Sequence, residues 1–119
     1  MATSRSRSDP VGTDLERGLD LIRQREFFGA HEALEDAWRA ADAPERDFFQ
    51  GLVHVAVAWY QADRGNRVGC ERQLAKAQRR LSPYAPIHRG VDVAAILVQV
   101  AEAAIQVEAG TLALSPPRL

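Results

Sequence analysis

Any chemistry in this chain would begin at His31. In the stretch FFGAHEALEDAW, Phe27 to Trp38, His31, Glu32 and Glu35 are residue types that transfer protons or bind metal. Read as a helix, steps of four, three and four residues carry Phe27, His31, Leu34 and Trp38 to one side, so His31 is expected to point toward the core. Glu35 follows one turn later, within side-chain reach, while Glu32 falls further round with Phe28 and Asp36. Burying a neutral imidazole requires partners for both ring nitrogens, since an unpaired buried polar group costs roughly 1–3 kcal/mol. Glu35 and the Trp38 indole are the nearest polar neighbours along this helix.

Three chemistries fit these residues. His31 and Glu35 have the spacing that lets two ligands share a metal ion, Glu32 adds a carboxylate, and Gln50 or His54 would come from the adjoining helix. Yet HEALE is not HExxH: Glu35 stands in place of the second histidine and no third ligand is identifiable, so no metal is assigned. General acid–base catalysis is the second, because a glutamate beside a buried histidine can have its pKa moved toward neutrality. No nucleophile, cofactor loop or second convergent motif accompanies it, and no cofactor is assigned. The third is a hydrogen-bonded histidine–glutamate pair that fixes helix register.

The elements that must position these groups read as helices. Thr13 with Glu16 has the capping-box pattern and opens a first helix with Leu15, Leu19 and Ile22 buried, ending near residues 24–26. The second runs to about Ala41; Asp42 and Pro44 suit the start of a third, from about Pro44 to Arg64. Its face of Phe48, Leu52, Val55 and Trp59 is joined by Phe49, Val53, Ala56, Val57, Ala58 and Tyr60, so it is apolar almost all round and becomes the central helix. His54 lies opposite the main stripe, near Gln50 and Gln61. Gly65 and Asn66 break the chain before a fourth helix, Arg67 to Leu81, that buries Cys70, Leu74, Ala77 and Leu81. SPYAPIHRG, residues 82–90, is expected to be an ordered loop with His88 in solvent. In a last helix, 91–109, Asp92, Gln99, Glu102 and Gln106 take the polar side and Ile96, Leu97, Val100 and Ile105 the other. FGAHEALEDA, from Phe28, echoes VGCERQLAKA forty residues later, which suggests two similar helix hairpins and, as a further possibility, a scaffold resembling tetratricopeptide hairpins with a concave apolar groove.

Length and composition narrow the function. A chain of 119 residues, 46% hydrophobic and 26% charged, is one globular domain. A net charge of −1 gives no general pull toward nucleic acid or anionic membrane. Residues 26–47 are mainly acidic and residues 63–90 mainly basic; Arg72, Lys76, Arg79 and Arg80 read as a solvated face rather than a nucleic-acid patch. The longest apolar run, Phe48 to Tyr60, falls well short of the ~20 residues that cross a bilayer. The single cysteine, Cys70, forms no internal disulfide and reads as a core residue in a reducing cytoplasm.

The stretches FFGAHEALEDAWR, PERDFFQGLVHVAVAWYQADRGN, the basic helix ending in LSPY, and GVDVAAILV together resemble the helical family catalogued as domain of unknown function 309, from about Leu19 to Leu97. The resemblance implies a compact multi-helical domain without an established activity, and its polar signature falls on His31, Glu32, Glu35, Trp38, Gln50, Gly51 and Tyr60. The chain departs from that pattern in Gly29, where a glutamate is usual, and in Arg25 and Glu26, where a glycine or asparagine is usual.

The sequence therefore predicts an all-α fold, a compact antiparallel bundle of about five helices with a central apolar helix. Residues 1–11 are expected to be a flexible tail, 12–110 the domain, and 111–119 a loose C-terminal tail. The expected function is non-catalytic binding of a small ligand or protein partner, or a second copy as a homodimer. The expected site is a polar pocket between helices two and three, built from His31, Glu32, Glu35, Trp38, Gln50, His54 and Tyr60. The alternative is a metal-dependent enzyme using His31, Glu35 and Glu32.

Overall fold

The structure, a computed structural model, describes residues 9–119. Five α-helices dominate it: α1 (Pro10–Arg23), α2 (Phe27–Ala40), α3 (Ala43–Asp63), α4 (Arg67–Leu81) and α5 (Val93–Glu108). Between α4 and α5 lie a 3-10 turn, Ser82–Tyr84, and a two-stranded antiparallel ribbon of β1 (Ile87–His88) and β2 (Val91–Asp92). The all-α bundle is as the sequence predicts. Each helix packs on the next, and α3 lies between α2 and α4. That position explains its composition: Phe48, Phe49, Leu52, Val53, Val55, Ala56, Ala58 and Trp59 are buried on different sides of one helix, which only a helix enclosed by neighbours requires.

The forty-residue echo is structural. Arg25 and Gly65 both adopt left-handed backbone, φ 61° and 76°, just past a helix end. In each turn the next amide reaches back five residues, Glu26 N to Leu21 O at 2.8 Å and Asn66 N to Gln61 O at 2.9 Å, which is the Schellman closure. Leu34 and Leu74, forty residues apart, are both buried in the helix that follows. The first four helices are thus two hairpins of one design, packed together through α2 and α3.

Several local expectations are corrected. The first helix begins at Pro10 rather than Thr13, because Asp9 caps it: its Oδ1 accepts from Gly12 N at 2.9 Å, and proline is preorganised for a first turn. Residues 1–8 of the expected N-terminal tail lie outside the described residues; Pro10 and Val11 are helical. His88 is not in open solvent. Arg89 and Gly90, both at positive φ, make the two-residue hairpin turn that folds its ring onto Phe48 (4.6 Å between centroids) and Tyr84 (4.9 Å). Its Nε2 lies 3.0 Å from Glu45 Oε2, and Arg89 grips the same carboxylate through Nε and Nη2.

The C-terminal segment differs most from expectation. Residues 111–119 are not loose: they run back along α5 with Leu114 and Pro117 buried. Gln99, placed by helical period on a wet face, is only 8% exposed because this segment covers it. Ile105, assigned to the dry side of α5, is instead exposed; Val93, Ile96, Val100, Ala103 and Val107 form the buried stripe.

Candidate functional site

The groups proposed for chemistry sit on α2, and the side on which they emerge is decided by alanines. The fully buried residues of α2 are Phe27, Ala30, Ala33, Leu34 and Ala37. At 100° per residue this stripe is centred roughly 75° from the line through Phe27, His31 and Trp38. Small side chains allow neighbouring backbones to approach, so the alanine edge is the contact face and His31 is turned to its margin, with 24% of its side chain exposed. The imidazole nevertheless has one defined partner, with Nε2 lying 3.2 Å from Glu35 Oε2. Glu35 in turn lies 3.9 Å from Arg39, which also pairs with Asp36 at 2.8 Å. What the sequence suggests as a core network is therefore a charge ladder along the flank of α2, with the histidine at its inner end.

Across from His31, α3 contributes Val57, Tyr60 and Gln61, and α2 adds Phe28. These five residues line a crevice of about 160 Å³. Phe28, 53% exposed, stands at its edge with ring centroids 5.5 Å from His31 and 5.7 Å from Tyr60. Arg64 covers Tyr60 at 5.5 Å, with its Nη1 donating to the Tyr60 hydroxyl at 3.4 Å. Nδ1 of His31 is buried and has no hydrogen-bond partner among the described residues. The arrangement is an apolar slot with the His31 ring at its wall and an unpartnered ring nitrogen beneath the surface.

Of the residues singled out from sequence, the structure brings His31, Glu35 and Tyr60 together and leaves four elsewhere. Glu32 is exposed on the outer side of α2. Trp38, half-buried, lies beneath Arg46 at 5.1 Å. Gln50 is half-buried but does not line the crevice. His54 turns to α4, where its Nδ1 donates to Gln73 Oε1 at 2.7 Å. Burial pushes the His54 pKa below its usual value, the Gln73 bond opposes that, and Arg80, Lys76 and Arg79 push it lower still. Among the described residues no group of three or more His, Cys, Asp or Glu side chains could hold a metal ion, so His31, Glu35 and Glu32 do not assemble the site that the metal-dependent alternative needs. Phe28, Val57 and Gln61 were not singled out by sequence; the signal was a phenylalanine three residues before His31, on the face that α2 shows to solvent.

Comparison with known proteins covers the same elements. The uncharacterized protein YpuF of Bacillus subtilis (strain 168) is 31% identical over 75 residues, 62% of this chain and 41% of the relative, so the chain spans less than half the length of that protein. No solved structure matches. Residues 15–73, which contain every residue lining the crevice, match the family described as Domain of unknown function (DUF309).

Proposed function

We propose that this domain is a protein-binding module whose α2–α3 crevice accepts one apolar or aromatic side chain of its partner. One observation carries the reading: a crevice of about 160 Å³ edged by an exposed phenylalanine. Sites that enclose whole small molecules run to about 300–1,000 Å³, so this volume suits a single side chain. An exposed aromatic beside an apolar slot is the pattern of an interface anchor. His31 adds direction, since a turn of its ring toward the crevice would let a donor on the incoming group satisfy the unpartnered Nδ1 of the neutral imidazole. A second copy of the chain is one candidate partner, and a cytoplasmic setting is supported by Cys70, buried and unpaired.

Phenol is the probe, as an aromatic ring with one donor. At millimolar concentration, with the protein followed by NMR, phenol is expected to shift the His31, Val57 and Tyr60 resonances, and toluene to shift them less. A millimolar Kd corresponds to about −4 kcal/mol, within reach of a seven-atom ligand. Val57→Phe, which fills the slot from α3, is expected to abolish the shifts. Unmoved resonances in the wild type under phenol would sink the reading.

A further inference from the structure

We propose that the groove between the C-terminal half of α3 and α5 is a binding site for an extended, proline-containing peptide, and that residues 111–119 occupy it as an intramolecular stand-in for a partner segment. This site shares no lining residue with the α2–α3 crevice. Four hydrogen bonds hold the segment. Arg25 Nη1 donates to Leu114 O at 3.2 Å, Trp59 Nε1 to Ser115 O at 2.7 Å, and Gln99 Nε2 to Arg118 O at 2.7 Å, while Arg118 N donates to Gln99 Oε1 at 2.6 Å. All four read backbone atoms of the segment, so they would hold any chain of the same conformation.

The chemistry of the segment suits that mode of capture. Pro116 and Pro117 have no N–H and favour polyproline geometry, so the carbonyls on either side of them, Ser115 O and Arg118 O, are left to outside donors. The Trp59 indole N–H and the Gln99 carboxamide supply those donors, as in grooves that recognise proline-rich peptides. Gln99 is 8% exposed, Trp59 is 3% exposed, and the polar atoms of both side chains are directed to the segment. Leu114 and Pro117 are the buried anchors. Arg25 occupies a left-handed backbone position where the second hairpin has Gly65, a conformation that costs a side-chain-bearing residue; its guanidinium bonds both Leu114 O and Asp63.

The intramolecular occupant is an imperfect fit. A cavity of about 310 Å³ remains between it and α5, lined by Trp59, Gln99, Glu102 and Gln106 on one side and by Ala113 and Ser115 on the other. The partner segment is therefore one with the Leu-x-Pro-Pro spacing of Leu114 to Pro117 and a larger side chain where Ala113 stands. Tethering gives the resident segment an effective concentration of about millimolar, which a partner must overcome by filling that space.

The test uses the full chain labelled at its tryptophan indoles, with Trp38 as internal reference. Two free peptides are titrated, one with the sequence of residues 111–119 and one with phenylalanine in place of Ala113. The phenylalanine peptide is expected to shift the Trp59 signal and leave Trp38 unmoved; its counterpart with both prolines replaced by alanine is expected to do neither. Gln99→Ala is expected to weaken binding about tenfold, the loss of two hydrogen bonds. In a Leu114→Asp chain, whose own segment is weakened, the unmodified peptide is expected to bind as well. A Trp59 signal unmoved by the phenylalanine peptide at several times the effective concentration of about millimolar overturns the proposal, and this wild-type titration decides alone if Leu114→Asp does not fold.

Discussion

Alanine at Gly51 and alanine at Gly29 are expected to move stability in opposite directions. Both glycines lie within helices, so each substitution gains helix propensity, up to about 1 kcal/mol. At Gly51 the added Cβ would stand 2.6 Å from Leu81 Cγ, 2.7 Å from its Cδ2 and 3.4 Å from Arg80 Cβ. Leu81 is fully buried and has no room to swing away, so α3 and α4 must separate. Such overpacking costs about 1–3 kcal/mol, leaving Gly51→Ala destabilised by about 0–2 kcal/mol after the propensity gain. At Gly29 the Cβ would meet only Leu21 methyls at 3.6 and 3.9 Å, ordinary contact, so the gain survives. Because the propensity term is shared, the difference between the two variants isolates the steric cost. At about 4 °C per kcal/mol for a domain of this size, Gly29→Ala should melt at least about 4 °C above Gly51→Ala. Gly18→Ala is an independent repeat in the first hairpin, since its Cβ would lie 2.6 and 2.7 Å from atoms of buried Leu34. Thermal melts by circular dichroism read all three. Equal midpoints for Gly29→Ala and Gly51→Ala would refute the close α3–α4 approach on which the bundle rests.

Other perturbations test other contacts. Trp59→Ala is expected to cost about 3–5 kcal/mol, because the ring is buried, and to raise hydrogen exchange in residues 112–118; unchanged melting would show that α3 is not central. Stability is expected to fall in two acid windows. The lowered His54 pKa means that the unfolded chain binds the extra proton first, so stability is full above about pH 6.5 and declines as pH falls from there toward the folded value; His54→Asn should flatten that limb. Glu45, held below the usual carboxylate range chiefly by its bond to Arg89 and further by His88, against the opposing effect of burial, contributes stability above about pH 4.5 that is lost below it, a limb that Glu45→Gln should remove. Cys70, its thiol pushed up to about 11 by burial and by Glu71, should resist alkylation at neutral pH until the domain unfolds; rapid labelling of native protein would contradict the packing of α4. Arg25→Gly should leave the melting temperature nearly unchanged, since relief of the left-handed conformation, about 1–2 kcal/mol, offsets the lost Asp63 pair, yet it should loosen Leu114 by hydrogen exchange.

The helices were legible because their signals are local. Apolar period, Gly65–Asn66 and Asp42–Pro44 mark three of the four interhelical boundaries to within a residue or two, and all-round apolar character identifies α3 as central. The orientation of His31 was not legible in the same way. Phe27, Leu34 and Trp38 carry most of the hydrophobicity of α2, but Ala30, Ala33 and Ala37 decide which face meets its neighbours, and a hydropathy pattern gives least weight to the smallest side chains. His54 and Gln73 meet only because α3 and α4 pair, and no spacing within one helix reports a contact nineteen residues away. His88 was misplaced for a similar reason: two prolines and a glycine signal a loop, whereas its partners Glu45 and Phe48 belong to the start of α3.

The docked C-terminal segment follows from the rule that builds the rest of the fold. Past α5, Gly110 takes φ 105°, Gly110 N bonds Val107 O, and Thr111 N reaches back to Gln106 O at 3.0 Å, the same closure made at Arg25 and at Gly65. In all three places the turn sends the chain back against the helix just completed. After Arg25 and Gly65 the returning segment is helical and bonds its own backbone. After Gly110 it contains Pro116 and Pro117, which cannot continue a helix, so it returns extended with carbonyls that no i→i−4 bond can satisfy. The surrounding helices must then supply what a helix supplies for itself, and the donors found there are Arg25, Trp59 and Gln99. A buried glutamine and an indole N–H on otherwise apolar helix faces are thus the imprint of an extended chain lying across them, whichever chain provides it.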